Sequence, residues 1–436
     1  MIINVIVFII VFGVIVAIHE YGHLWFAKRA GILVREYAIG MGPLLFSHRA
    51  KDGTLYSIRM LPVGGYVRMA GWGDDATEIK KGAPAAIVLG NGQEGASSIS
   101  AEPSQALTTE PGLVTRINLS EKIELENAIP MLVTAYDFVD DLFIEGEVAG
   151  EVKRYSISHE ATVIEEDGTE LKIAPKDVQY QSATVWGKIT TNFAGPLNNF
   201  ILGLVAFILV VFMQGGVPSN SNQIGQVEKG SPAAVAGLQA GDKLTEIGGK
   251  SVSNWTELTS AITSDTSGKK LDVQFTRNGE KKTTTVTPKE IDGSYKFGVT
   301  NSIKTDLWSK ISGGFSMTID AMGLIGRALG HLFTHPSLNQ LGGPVAIFQA
   351  TGQAAQGGFI SVLGFLALLS INLGIVNLIP IPALDGGKIV LNIIEWIRRK
   401  PMKPEHESIV TMVGAVFMIV LMLAVTWNDI MRAIGH

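Results

Sequence analysis

Cysteine is absent from all 436 residues. That excludes disulfides, thiolate nucleophiles, cysteine-ligated zinc and iron–sulfur clusters at once. Charge is scarce as well: only 17% of residues are Asp, Glu, Lys or Arg, and 35 basic against 40 acidic side chains leave a net charge of −5. A chain that binds nucleic acid by neutralising phosphates needs a basic face, so nucleic acid is not an expected partner. Neither a G-x-x-x-x-G-K-[ST] phosphate loop nor a G-x-S-x-G nucleophile elbow occurs. Apolar residues are what the chain has in abundance, at 46%, with a mean hydropathy of +0.28. This composition describes a membrane protein with soluble parts, whose chemistry must come from His, Asp, Glu, Ser and Lys.

Four stretches are long and apolar enough to cross about 30 Å of hydrocarbon at about 1.5 Å per residue. They are 2–18, resuming at 24–27, then 193–213, a stretch within 358–379, and 409–427. A cleaved signal peptide fits the first poorly, because no Lys or Arg precedes it and no A-x-A site follows. Its positive charges come afterwards, at Lys28, Arg29 and Arg35, and the loop between the last two spans carries Lys388, Arg398, Arg399, Lys400 and Lys403. The positive-inside rule makes both positions cytoplasmic. The expected protein is a multi-pass cell-membrane protein with both termini extracytoplasmic, 31–190 inside and 215–355 outside.

The soluble parts divide by pattern. Residues 31–74 predict membrane-associated β structure, with a hairpin turn at Asp52-Gly53 and a flexible pair at Gly64-Gly65. Residues 75–190 predict a cytoplasmic linker and β-rich module; 82–112, rich in Gly, Ala, Ser, Glu and Pro and without aromatics, reads as the linker. Residues 222–300 run strand, short helix, strand, helix, strand, strand. Ser231-Pro232 opens the first helix, Gly237 closes it, and Asn278-Gly279 joins the last two strands. That order resembles one PDZ domain, a module that binds extended peptides along a strand edge, although a spacer without ligand has the same pattern. Residues 301–356 read as an amphipathic, interfacial segment.

The sharpest chemical signal is His19-Glu20-Tyr21-Gly22-His23. On a helix the two histidines share a face and can reach one ion, with Glu20 beside them as a base. Polar residues in a membrane helix are costly, a charge at its centre by about 2.5–3.5 kcal/mol on insertion scales, so this trio demands a use. A hydrolytic zinc site takes three protein ligands, and Asp385 is the candidate for the third. It follows Pro380 and Pro382, which break the third span and let the chain turn back on the side of His19 and His23. An N-cap aspartate for the following helix is the alternative. His331 and His335 are also four apart, but no Glu lies between them and Pro336 adjoins, so they read as surface histidines. A metal transporter or sensor would also use such ligands; only hydrolysis needs the unligated Glu20.

These residues together resemble a known family. H-E-Y-G-H, L-P-V-G-G-Y-V at 61–67, F-A-G-P-L-N-N-F at 193–200, the PDZ-like pattern and N-L-I-P-I-P-A-L-D-G-G at 377–387 are similar to the site-2 proteases. Within them the match is to the bacterial RIP-type intramembrane zinc metalloproteases, the group of the sigma-E regulator protease, and most closely to the single-PDZ form of Gram-positive bacteria. The resemblance implies a four-helix transmembrane bundle (1–30, 193–214, 357–390 with the L-D-G motif, and 408–428), membrane-associated β structure and one extracytoplasmic PDZ-like α+β domain. It implies Zn²⁺ held by His19, His23 and Asp385 near the cytoplasmic face, with Glu20 as general base. Asn377 would face the substrate, and Gly64, Gly65 and Tyr66 would pair with an unwound substrate strand. The implied activity is regulated intramembrane proteolysis. Its partners would be membrane lipid, single-span membrane proteins such as anti-sigma factors, remnant signal peptides and an upstream site-1 protease. Proteobacterial relatives carry two PDZ domains and this chain one, so size exclusion by a PDZ pair does not transfer.

Overall fold

The computed structural model describes residues 2–71, 78–90, 109–264, 268–291, 294–400, 402 and 404–434. The chain forms two compact units. The first consists of 1–202, 327–356 and 369–436, and the second of 203–326 and 357–368. The first unit opens with α1 (Ile2–Arg29), an uninterrupted apolar helix whose only basic end is Lys28-Arg29. Two strands follow, β1 (Val34–Arg49) and β2 (Leu55–Met69). The Asp52-Gly53 turn joins them: Gly53 adopts φ +89°, and Asp52 Oδ1 accepts from the Thr54 amide.

This hairpin folds on itself. Residues 36–39 of β1 pair with 55–58 on one side and 65–68 on the other, so Tyr37 lies between Tyr56 and Val67. The doubling-back is possible at Gly64, whose φ of +75° is open chiefly to glycine. Glu36 locks the fold by accepting from Ser57 Oγ at 2.6 Å, Arg59 Nη2 at 2.7 Å and Tyr66 Oη at 3.0 Å. Burial opposes its charge, but these donors outweigh burial and hold the carboxyl below its ordinary range. The hairpin's far half exposes Met41, Leu44, Leu45, Phe46, Met60 and Leu61.

Next come β3 (Pro84–Gly90), β4 (Thr109–Asn118), β5 (Ile129–Asp137), β6 (Phe143–Val148), β7 (Glu151–Ile164) and β8 (Glu170–Lys172). The first of these pairs with β4 and β5, β5 with β6, and β6 with β7, which returns parallel to β4. Five strands thus close a barrel and leave no long free edge. Ile87, Val114, Ile117, Val133, Ile144 and Ile157 fill it. The linker expected at 82–112 therefore contains all of β3 and the start of β4, while 91–108 lies outside the described residues. Its small residues hid an apolar run, Ala85 to Leu89, that is short enough to pass for loop yet alternates in and out of the core.

Residues 176–182 form two single 3-10 turns and lead into α2 (Val185–Met213). Tyr180, 2% exposed, joins several elements here. It belongs to a buried cluster with Leu24, Ala27, Val67 and Met69, and its hydroxyl accepts from Asn192 Nδ2 at 2.7 Å and Asn392 Nδ2 at 3.2 Å. Burial pushes the phenol up to about 12, so it stays neutral. We expect Tyr180→Phe to leave two buried amide donors without this acceptor and to lower stability by about 1–3 kcal/mol. Denaturant unfolding in detergent reads this, and a change inside experimental error would remove Tyr180 from the role.

The second unit carries β9 (Val217–Pro218), β10 (Ile224–Val227), α3 (Pro232–Val235), β11 (Lys243–Ile247), β12 (Lys250–Ser251), α4 (Trp255–Thr263), β13 (Leu271–Arg277) and β14 (Glu280–Val286). The short strands β15 (Lys289–Ile291), β16 (Ser294–Lys296), β17 (Val299–Asn301) and β18 (Ile303–Lys304) follow. Ser231 Oγ caps α3 by accepting from the Ala234 amide, and Asn278 and Gly279, both at positive φ, turn β13 into β14. Leu244, Ile247, Leu258, Val273 and Phe297 form its core.

The remaining helices are α5 (Leu307–Thr334), α6 (Pro344–Gln356), α7 (Phe359–Asn377), α8 (Asp385–Arg398) and α9 (Pro404–Ile434). Among the described residues, four helices are long and apolar enough to cross a membrane: α1, α2, α7 and residues 406–434 of α9. The expected span at 357–390 is thus a helix ending at Asn377, a break at the two prolines, and a new helix from Asp385.

Candidate metal centre and active site

Three donor atoms meet where α1, α2 and α8 converge. His19 and His23, one turn apart on α1, bring their Nε2 atoms to 3.3 Å from each other, and each lies 3.3 Å from Asp385 Oδ2. All are close to buried, the histidines at 7% exposure and the Asp385 side chain at 13%. Among the described residues this is the one group of three such donors close enough to hold an ion. Asp385 is the first residue of α8; the cap position is Leu384.

Hydrogen accounting tests whether a cation fits. His23 Nδ1 lies 2.7 Å from the Thr191 carbonyl oxygen, which can only accept, so Nδ1 carries the proton. In a neutral imidazole Nε2 is then an acceptor. It faces Asp385 Oδ2, a buried oxygen with no hydrogen-bond donor. Acceptors this close, out of water, need a proton or a metal cation between them. A tetrahedral zinc with bonds of about 2.0–2.1 Å sets its ligand atoms about 3.3–3.4 Å apart, as found here. The donor set fits.

The second helix supplies the floor. Residues 191, 195 and 199 recur every fourth position and so share the face of α2 turned toward α1. Gly195 lies directly under the histidines: a Cβ there would sit 2.7 Å from His23 Cε1, 2.8 Å from His19 Cε1 and closer still to His23 Nε2. Gly22 repays the approach from α1, since its own Cβ would fall 2.7 Å from the Ala194 carbonyl carbon. Two glycines thus set the spacing of these helices. Asn198 Nδ2 donates to Ile18 O at 3.1 Å, Asn199 lies beside His19, and Ser370 Oγ of α7 donates to Asn199 O at 2.8 Å. Reading the sequence alone missed Thr191, Gly195 and Asn199 as parts of the site. The signal available was a Gly-Pro followed by two asparagines inside an apolar span, where polar groups need a reason.

The other expected residues fall around this cluster. Glu20 is 9% exposed on the same helix. Asn377, the last residue of α7, brings Nδ2 to 3.5 Å from His19 Nε2. Gly65 packs so close to α1 that a Cβ would lie 2.7 Å from Val16 Cγ1 and 3.0 Å from Glu20 Cγ. Gly64 is the turn before it, and Tyr66 is tied back to Glu36. The hairpin contains β1 and β2 alone, so the outer side of 65–67 pairs with no further strand among the described residues. His331, in the last turn of α5, and His335, just past its end, are exposed and stack with ring centroids 4.9 Å apart, without a carboxylate between them.

Helices apolar enough to cross a membrane and a close-set group of two histidines and an aspartate, with a glutamate beside it, are the features expected of a membrane metalloprotease. Residues 7–421 match peptidase family M50, and the chain belongs to that family, the site-2 proteases. A protein of Lactococcus lactis that carries the name of a zinc metalloprotease is 60% identical over 433 residues, covering 99% of each chain. A Streptococcus pneumoniae protein of the same name is 53% identical over 98% of this chain and 99% of its own. An Enterococcus faecalis protein, named as the protease Eep, is 50% identical over the same shares. Among solved structures, the PDZ domain of an SdrC-like protein from Listeria monocytogenes is 25% identical. It covers 20% of this chain and 90% of its own, with a TM-score of 0.18. The chain is a zinc metalloprotease whose cofactor is Zn²⁺.

Proposed function

We propose that this protease cuts single-span membrane proteins within the bilayer, close to its cytoplasmic face, with anti-sigma factors and remnant signal peptides as the substrate classes. The observation that carries the reading is the burial of His19, Glu20 and His23 in an apolar helix of membrane-spanning length. His19, His23 and Asp385 would hold the zinc. When bound, zinc polarises the scissile carbonyl and lowers the pKa of water to about 7. Glu20 takes the proton of the attacking water and returns it to the departing amine. The apolar surroundings of α1 exclude bulk water and strengthen each electrostatic contact.

A membrane helix hides its amides in its own hydrogen bonds, so the substrate must unwind before cleavage. The outer edge of 65–67, next to Glu20, suits capture of the released amides by strand addition. Gly64 turns that segment, Gly65 brings it against α1, Tyr66 anchors it, and Asn377 would bond the substrate beside the metal. The apolar hairpin tip is suited to acyl chains. Residues 222–300, as an extracytoplasmic PDZ-like domain, would select substrates, and an upstream site-1 protease would trim them first. Both termini lie outside in this arrangement.

Reconstitution tests the reading. Protease in liposomes with zinc should cut a defined single-span substrate inside its membrane segment, toward the end nearest the cytoplasmic side, and a chelator should stop it. Cuts confined to the soluble flanks would overturn the proposal. Zinc flux across the vesicle without cleavage would favour a transporter instead.

A further inference from the structure

Asn199 is fully buried, and its place beside His19 contains a contradiction of hydrogens. Its amide nitrogen stands 3.1 Å from His19 Nδ1, while its carbonyl oxygen Oδ1 is buried with no donor. His19 Nε2 faces Asp385 Oδ2 and His23 Nε2, so a His19 that ligates zinc has its lone pair on Nε2 and its proton on Nδ1. An N–H would then point at an NH₂ group, and neither could accept. A half turn of the planar amide exchanges its oxygen and nitrogen at almost no cost in shape and resolves the conflict.

We infer that Asn199 is a positioning residue for the metal: its side-chain oxygen accepts the His19 Nδ1 proton and holds the imidazole with Nε2 toward the zinc. Each histidine then donates to an oxygen of α2, His23 to the Thr191 carbonyl and His19 to the Asn199 amide. Such an outer partner fixes both tautomer and ring angle. The amide is well placed to do so, because the Asn199 backbone carbonyl is itself pinned by Ser370.

The inference rests on the reading of His19 as a zinc ligand, and the experiment separates the two. Zinc affinity is measured by chelator competition on the full-length purified protein, with the absorption of the cobalt-substituted form as a second readout. Asn199→Leu, which has no acceptor, should bind zinc about 10–100-fold more weakly and alter the cobalt spectrum. Asn199→Asp, which can only accept, should hold zinc at least as tightly as the parent and keep the spectrum. The two amide orientations give opposite results for Asp, so Asn199→Asp alone decides the matter if the leucine variant does not fold. A tenfold or greater loss of zinc in Asn199→Asp, or parental affinity and spectrum in Asn199→Leu, would overturn the inference. His19→Ala is the control: parental zinc affinity there removes His19 from the metal and defeats the underlying reading instead.

Discussion

Glu20→Gln should stop cleavage while leaving zinc content at the parental level. The amide keeps the size of the carboxylate at a site only 9% exposed, so the helix and its metal ligands have no cause to move. What it loses is the capacity to take a proton, a contribution of about 10²–10⁴ in rate for a positioned general base. Both quantities are measurable on one preparation: zinc per protein, and turnover of a single-span substrate. Parental turnover in Glu20→Gln would strip Glu20 of its role. Loss of zinc along with activity would make Glu20 a structural or ligating residue rather than a base.

Gly195→Ala should be almost as damaging, although it adds one methyl group to a residue with no chemistry of its own. That methyl has no free volume, since the space above Gly195 is occupied by both imidazole rings. Either the rings tilt off the metal or α1 and α2 separate, and Gly22 against Ala194 allows no compensating slide. Displacements approaching 1 Å cost about 10²-fold in rate, and here they would also disperse the three donors. The expected outcome is a protein that inserts and folds but holds zinc weakly and turns over at least about 10²-fold more slowly. If Gly195→Ala matches the parent in zinc content and rate, the tight approach of the two helices does not shape the site.

The parts legible in the sequence were local ones. H-E-Y-G-H offers two proposed ligand positions and a proposed base within five residues, because helical periodicity alone puts His19 and His23 on one face. Asp385 was legible by a longer route, through two prolines and the side of the membrane where the charges lie. What went unread was how α2 contributes, although the Gly-Pro and the paired asparagines at 195–199 were there to signal it. Gly195 has no side chain to signal a role, and Thr191 acts through its carbonyl, which every residue possesses. Only the packing of α1 on α2 gives them meaning. The barrel was half hidden for a different reason: Ala, Gly and Pro dominate 82–112, and composition outweighed the alternation at Ala85–Leu89 that marks a strand.

The order in which the centre's parts leave the ribosome follows from its geometry. His23 and Asp385, whose side chains approach to 3.3 Å, are separated by about 360 residues of chain. At about 5–20 residues per second, roughly 20–70 s pass between their synthesis. Through that interval α1 already carries Glu20 and the two histidines of the proposed site. Asp385 is still missing. On the proposed assignment a nascent chain therefore passes most of its synthesis without a complete metal site, and gains one only once the helix that begins at Asp385 has come home.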